Sequence, residues 1–155
     1  MSIFKNKKAL ITGASGGLGF EIALQLAKYD CDLHLVGTKQ DKLNKVKSEI
    51  AKFNSNIQIL STAVDFSHPE QVIKFINQDL SCDILINCAG IFPIVNLCST
   101  DLSLYDKCFN INVKAPFLLS RHCSEGMKSN KWGRIVNVAS SSAYAGSEDT
   151  GLYCA

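Results

Sequence analysis

Thr12 to Gly19 reads TGASGGLG, three glycines in the pattern G-x-x-x-G-x-G between an apolar run and a helix-period segment. Such a turn suits one kind of chemistry. Gly13, Gly17 and Gly19 leave the backbone bare enough for a pyrophosphate to approach, and the helix that follows presents unpaired N–H groups to its charge. Ser15, Gly16 and Leu18 complete this candidate phosphate cradle. Gly/Ser turns between a strand and a helix are common, however, so the turn gains meaning from its company. Four more clusters of turn, hydroxyl or acidic residues each follow an apolar run. They are Gly37-Thr38-Lys39, Val64-Asp65-Phe66, Asn87-Cys88-Ala89-Gly90 and Ala139 through Ser142.

The apolar runs must be strands. KALITG, DLHLVG, IQILSTAVD, CDILINCAG and GRIVNVAS are short and nearly continuous in Val, Ile and Leu, as in a sheet buried on both faces. Helical spacing fills the gaps between them. Leu18, Ile22, Leu26 and Tyr29 share one face of the first helix, and Leu43, Val46, Ile50 and Phe53 share one of the second. Ser67 reads as the N-cap of the third, with Glu70 as its reciprocal partner. A long, mostly helical region runs from about Asp101 to Met127. Pro116 lies inside it and removes a backbone donor, so a kink or a late helix start is expected there. This alternation gives an α/β fold, a Rossmann-type doubly wound parallel sheet in three α/β/α layers, with residues 1–155 as one dinucleotide-binding domain. Ligands of such sheets bind beyond the carboxyl ends of the strands. All five clusters lie there.

Composition narrows the function further. The 155 residues are 46% hydrophobic and 19% charged, with a net charge of +2, which argues against a nucleic-acid surface. Lys42, Lys45, Lys47 and Lys52 read as the wet face of the second helix rather than a phosphate track. Seven cysteines form no C-x-x-C pair and no zinc-ligand spacing, so no metal is expected. Neither a secretory signal nor a membrane-length apolar run is present, which makes a reduced, cytoplasmic setting the expectation.

With NCAG after the fourth strand and Ser140 thirteen residues before Tyr153, the chain resembles the short-chain dehydrogenase/reductase family from about Lys7 to Ala155. Its glycine spacing is similar to that of the family's single-domain branch rather than the nucleotide-sugar epimerase branch. The resemblance implies hydride transfer between a nicotinamide cofactor and a small carbonyl or alcohol substrate. Ser140 would hold the substrate oxygen and Tyr153 would deliver the proton. Ser141 and Ser142 compete with Ser140 on composition alone. Asn112 matches the asparagine that holds a water of the proton relay, with Asn110 two residues away as its rival. Asp65 and Phe66 match a pair that contacts adenine, although Asp65 could instead cap a helix. Asn87, Ala89 and Gly90 match a turn that lies along the cofactor, with Cys88 replacing the family's second asparagine; a plain turn remains the alternative. An acid about 20 residues past the glycine turn would grip the ribose diol of NAD. Thr38 and Lys39 stand there instead, and a hydroxyl and an ammonium suit a 2′-phosphate, so NADP is preferred and NAD possible.

The family pattern also places a lysine four residues past the tyrosine, which binds the nicotinamide ribose and favours the phenolate. That place is position 157, and the sequence runs to Ala155. The chain is therefore expected to be part of a longer, homo-oligomeric oxidoreductase. It would lack the last strands of the family fold and leave its fifth strand an exposed edge. The alternative is a nucleotide-binding or interaction module without turnover.

Overall fold

The computed structural model describes residues 3–78 and 80–155. Five parallel strands form one sheet: β1 (Lys8–Thr12), β2 (Asp32–Gly37), β3 (Ile59–Ala63), β4 (Ile84–Asn87) and β5 (Arg134–Asn137). Their order is β3-β2-β1-β4-β5. The chain thus winds outward from β1 to β3, then returns to the other side of β1. The loops after β1 and β4 diverge at that reversal and open a crevice between them.

Alternate side chains of the strands feed two cores. Ala9, Ile11, Leu33, Leu35, Ile84 and Ile86 pack with α1 (Gly17–Lys28) and α2 (Gln40–Phe53). Leu10, Val36 and Leu85 face the other way, toward α3 (Pro69–Ile76) and α5 (Ala115–Ser129). This is the expected three-layer arrangement, and β1, β2 and β4 are mostly apolar because both of their faces are covered, with Thr12, His34 and Asn87 as their buried polar residues. By contrast, among the described residues β5 pairs with β4 alone, and Ile135, Val136 and Val138 are exposed. No described helix is long and apolar enough to cross a membrane.

Three local expectations are corrected. The first helix forms, but of its apolar stripe only Ile22 and Leu26 pack against the core, while Leu18 and Tyr29 are more than half exposed. Its buried face is Gly19, Ala23, Leu24 and Ala27. Small side chains let the helix axis approach the sheet, and that close contact outweighs the larger apolar area of the neighbouring stripe. At α3 the N-cap is His68, without a side-chain bond, because the fixed φ of Pro69 starts the helix one residue later than expected. Ser67 turns away from the helix, its Oγ donating to Asp65 Oδ1 at 2.7 Å. Gln71 rather than Glu70 reaches back, but past the N-cap, its Oε1 accepting from the Asp65 N–H at 3.1 Å.

The long helical region is interrupted as Pro116 requires. Residues Leu102–Phe109 form α4, Asn110–Lys114 form a wider π turn, and α5 then starts with Pro116 in its first turn. Proline carries no N–H, so the carbonyl of residue 112 loses the partner that an α-helix would supply. The π turn takes up the mismatch.

His34 on β2 is 8% exposed, with its Nε2 2.8 Å from Thr62 Oγ1 and its ring edge-on to Phe75. Burial, helped by Lys8, pushes its pKa down to about 4. Between there and the ordinary value near 6.5 the unfolded chain binds the proton and the folded one does not, so stability increases with pH across that window. We expect urea-unfolding stability to fall by roughly 2–3 kcal/mol as the pH is lowered from 6.5 to 4, after allowance for local relaxation. His34→Leu should flatten the dependence in that window.

Candidate active site

The glycine turn is built by two hydrogen bonds and one unusual dihedral. Ala14 N–H donates to the Val36 carbonyl at 3.0 Å, tying the turn to the end of β2, and Gly16 N–H donates to the Gly13 carbonyl at 2.9 Å. Gly13 has φ +66, which only glycine adopts without strain, and a Cβ there would come within 2.9 Å of the Ala89 backbone. The loops after β1 and β4 therefore touch. A Cβ at Gly19 would run into the Gly13 carbonyl, so this glycine lets α1 dock beneath the turn. Gly16 is the N-cap of α1, no side chain caps the helix, and its first turn contains no acid. Its terminal N–H groups face outward with positive partial charge.

Thr12 holds the two loops together. It is 1% exposed; its Oγ1 accepts from the N–H groups of Cys88 and Ala89, each at 3.0 Å, and donates to the Ile86 carbonyl at 3.3 Å. Thr12→Val keeps the shape and removes the acceptor, leaving two N–H groups without it. We expect a loss of about 2 kcal/mol in chemical denaturation, largely restored by Thr12→Ser.

The crevice has two lobes that share Cys88, Ala89, Gly90 and Ile91. The first, about 330 Å³, is lined by Gly13, Ser15, Gly16, Thr38, Asp65, Phe66, Ala89 and Gly90, together with Gly37. Gly37 has no side chain, and a Cβ there would stand 3.2 Å from Ser15 Oγ, so the serine hydroxyl sits against the end of β2 beside Thr38. Asp65 Oδ1 accepts from both the N–H and the Oγ of Ser67, and the hydroxyl bond in particular holds the carboxyl below the usual carboxylate range. It stays an acceptor. Gly17 and Leu18 lie outside this lobe on the exposed first turn of α1, Gly19 is buried beneath it, and Lys39 is exposed at the N-cap of α2.

The second lobe, about 750 Å³, brings Asn87, Asn112, Ser140 and Tyr153 to one wall system. Of the three serines only Ser140 lines it. Ser140 is the N-cap of a short turn, where its Oγ accepts from Ser142 N–H at 3.1 Å and keeps its own proton for another acceptor. Tyr153 lies on α6 (Gly151–Cys154) with its ring edge-on to Phe92, centroids 4.6 Å apart. The other tyrosine of this segment, Tyr144, is 95% exposed and does not line this lobe. Asn112, in the π turn, clamps the loop after β4: its Oδ1 accepts from Ile91 N–H and its Nδ2 donates to the Ile91 carbonyl, both at 2.9 Å. Asn110 points elsewhere, to the Ser67 carbonyl. The Asn112 side chain is thus committed to the loop.

Asn87 contributes something that sequence reading missed. Its Nδ2 donates to Asn137 Oδ1 on β5 at 2.8 Å and to Ser120 Oγ on α5 at 3.2 Å. Parallel register sets Asn87 opposite Asn137. The signal was present: ILINCAG and RIVNVAS both place an asparagine in an apolar strand, followed by x-Ala. Among the described residues, no group of three His, Cys, Asp or Glu side chains could hold a metal.

Residues 7–155 match the family model described as short chain dehydrogenase. The chain belongs to that family. It is 34% identical to the 3-oxoacyl-(acyl-carrier-protein) reductase FabG of Rickettsia felis, over 96% of this chain and 60% of that protein. A metagenomic short-chain oxidoreductase solved in complex with NADP superposes with a TM-score of 0.89 at 30% identity, covering 97% of this chain and 69% of that one. An NAD+-bound xylitol dehydrogenase superposes with a TM-score of 0.86 at 26% identity, covering 97% and 59%. The chain spans about 60% of the length of the curated relatives it matches.

Proposed function

We propose that this short-chain dehydrogenase domain binds NADP in the two-lobed crevice and serves reversible carbonyl reduction there. The observation that carries the reading is the continuity of the two lobes at Cys88–Ile91, which joins the glycine cradle to the wall bearing Ser140 and Tyr153. The residues fit the group. Gly13 and Gly19 keep open a cradle that a Cβ would close, and the N-terminus of α1 is uncapped. Asn87 Oδ1, buried on the second lobe, has no hydrogen-bond partner among the described residues. Bound there, the cofactor would supply or accept the hydride.

Each side chain then has a defined task. The first turn of α1 holds the pyrophosphate, Asp65 accepts from the adenine amine, and Phe66 packs against the ring. Ser140 donates to the substrate oxygen as charge grows on it, and Tyr153 supplies the proton. The Asn112 carbonyl holds a relay water. Both dinucleotides occur among the solved neighbours, so the preference rests on this chain's own residues. Ser15 and Thr38 line the lobe at the end of β2, where an NAD site would carry an acid, and Lys39 follows as the exposed N-cap of α2. The seven free thiols suit a reducing, cytoplasmic compartment. The substrate is a small carbonyl or alcohol, and we place the full protein among homo-oligomers.

Fluorescence titration with NADPH and NADH tests the proposal directly. NADPH should bind tighter by roughly tenfold or more, and Thr38→Asp should reverse the order by placing a carboxylate against the 2′-phosphate. If neither nucleotide binds saturably, the crevice is not a dinucleotide site. Turnover is tested by following carbonyl-dependent NADPH oxidation in this chain beside one lengthened to carry a lysine at position 157. Activity confined to the longer chain would support the incomplete-site expectation.

A further inference from the structure

The two lobes of the crevice meet at the π turn, and one side chain fixes where that turn stands. Ile111 lines the first lobe, whereas Asn112 and Val113 line the second. The turn grips the loop after β4 through Asn112, whose amide exchanges two hydrogen bonds with Ile91. It is also tied to the loop after β3, because Asn110 Nδ2 donates to the Ser67 carbonyl at 3.0 Å. Ser67 is in turn bound to Asp65: its N–H and its Oγ donate to the carboxylate Oδ1 at 2.9 and 2.7 Å. Val64, Asp65 and Phe66 line the first lobe. A series of hydrogen bonds thus runs from Asp65 through Ser67 to Asn110, and from Asn112 to Ile91, with one turn of backbone between. Asparagine is a weak helix former, since its amide competes with the backbone. At position 110, half-buried between two helices, that amide has a partner in another loop.

We propose that Asn110 is a positioning residue that sets the spacing between the two lobes, by tying the Asp65–Ser67 loop to the π turn. The inference rests on the dinucleotide reading above and adds to it a reason why the two halves of one ligand bind together. A ligand that fills both lobes gains from its second half only when the lobes stand at the separation its own covalent frame dictates. With Asn110 in place, the loops after β3 and β4 are fastened to one turn before any ligand arrives, and little ordering is left for binding to accomplish. Without that donor the Ser67 carbonyl turns to water and the loop after β3 loses its tie to the turn. The cost falls on ligands that span both lobes. A ligand confined to the first lobe is indifferent to it, since Asp65 keeps both bonds from Ser67 and Phe66 stays buried.

Calorimetric titration with NADPH and with adenosine 2′,5′-bisphosphate, which carries the adenine half of the dinucleotide alone, tests the proposal. In Asn110→Leu, similar in size but without a donor, NADPH should bind roughly three- to tenfold more weakly, as expected for one lost hydrogen bond, while the bisphosphate stays within about twofold. Asn110→Asp keeps the shape and turns an oxygen toward the Ser67 carbonyl, so it should give the same split, and the result does not hang on one variant. A general loosening of the fold would weaken both ligands alike. Equal losses therefore overturn the proposal, as does unchanged NADPH affinity in both variants. If the wild-type chain binds neither ligand, the dinucleotide reading falls and this inference with it. Wild-type binding of both leaves that reading standing whichever way the variants behave.

Discussion

Tyr153→Phe lowers carbonyl reduction by roughly 100- to 10,000-fold while NADPH affinity stays within about twofold, when measured in a chain lengthened to carry a lysine at position 157. The substitution removes one hydroxyl and nothing else. The ring keeps its edge-on contact with Phe92, and Leu152 beside it stays buried, so the fold has no reason to change. Under the proposed reaction, what disappears is the proton that would meet the oxygen as hydride reaches carbon. Ser140→Ala should also slow the reaction, because the oxygen loses a donor as its charge develops. Tyr144→Phe is the control, since Tyr144 is almost wholly in solvent and outside the crevice. Wild-type turnover in Tyr153→Phe would exclude the phenol as the proton donor.

Gly19→Val abolishes measurable NADPH binding and costs about 3 kcal/mol of stability, read by fluorescence titration and urea denaturation. A Cβ at this place meets the carbonyl of Gly13, which is backbone and cannot rotate aside. Either α1 moves off the sheet or the glycine turn moves toward β4. The first movement opens the core around Ala23 and Ala27, and the second pushes Gly13 onto Ala89, already at contact distance. Both destroy the cradle. Gly126 is the matched control: it lies inside α5 with open space where a Cβ would go, so Gly126→Ala should stabilise the chain by about 0.5–1 kcal/mol. A Gly19→Val protein with normal affinity and stability would mean that the turn is not held by that contact.

Strands, helices and the residues around the crevice were readable where the signal is local. An apolar run of five residues announces a buried strand by itself, and a glycine turn announces close backbone approach. Ser140 and Tyr153 were singled out by the family resemblance, whose serine–tyrosine separation they match, and both line the second lobe. The readings that failed or were missing depend on partners distant in the chain. Ser67 was a sensible cap until the φ of Pro69 moved the helix start and Asp65 competed for its hydroxyl. Leu18 and Tyr29 fall on the apolar face that helical spacing draws, yet both end up in solvent. The contact that decided the face was between Gly19 and Gly13, and no helical period contains it.

The chain's own pattern therefore dictates a parallel α/β sheet, a phosphate-sized turn after its first strand, and hydroxyl-bearing residues after its fifth. Folding alone brings Thr12 onto the amides of Cys88 and Ala89 and sets Asn87 against Asn137. The reason is range. Propensity and periodicity act over a few residues, whereas a hydrogen bond between loops forms only when strand order and register have already set two distant segments side by side.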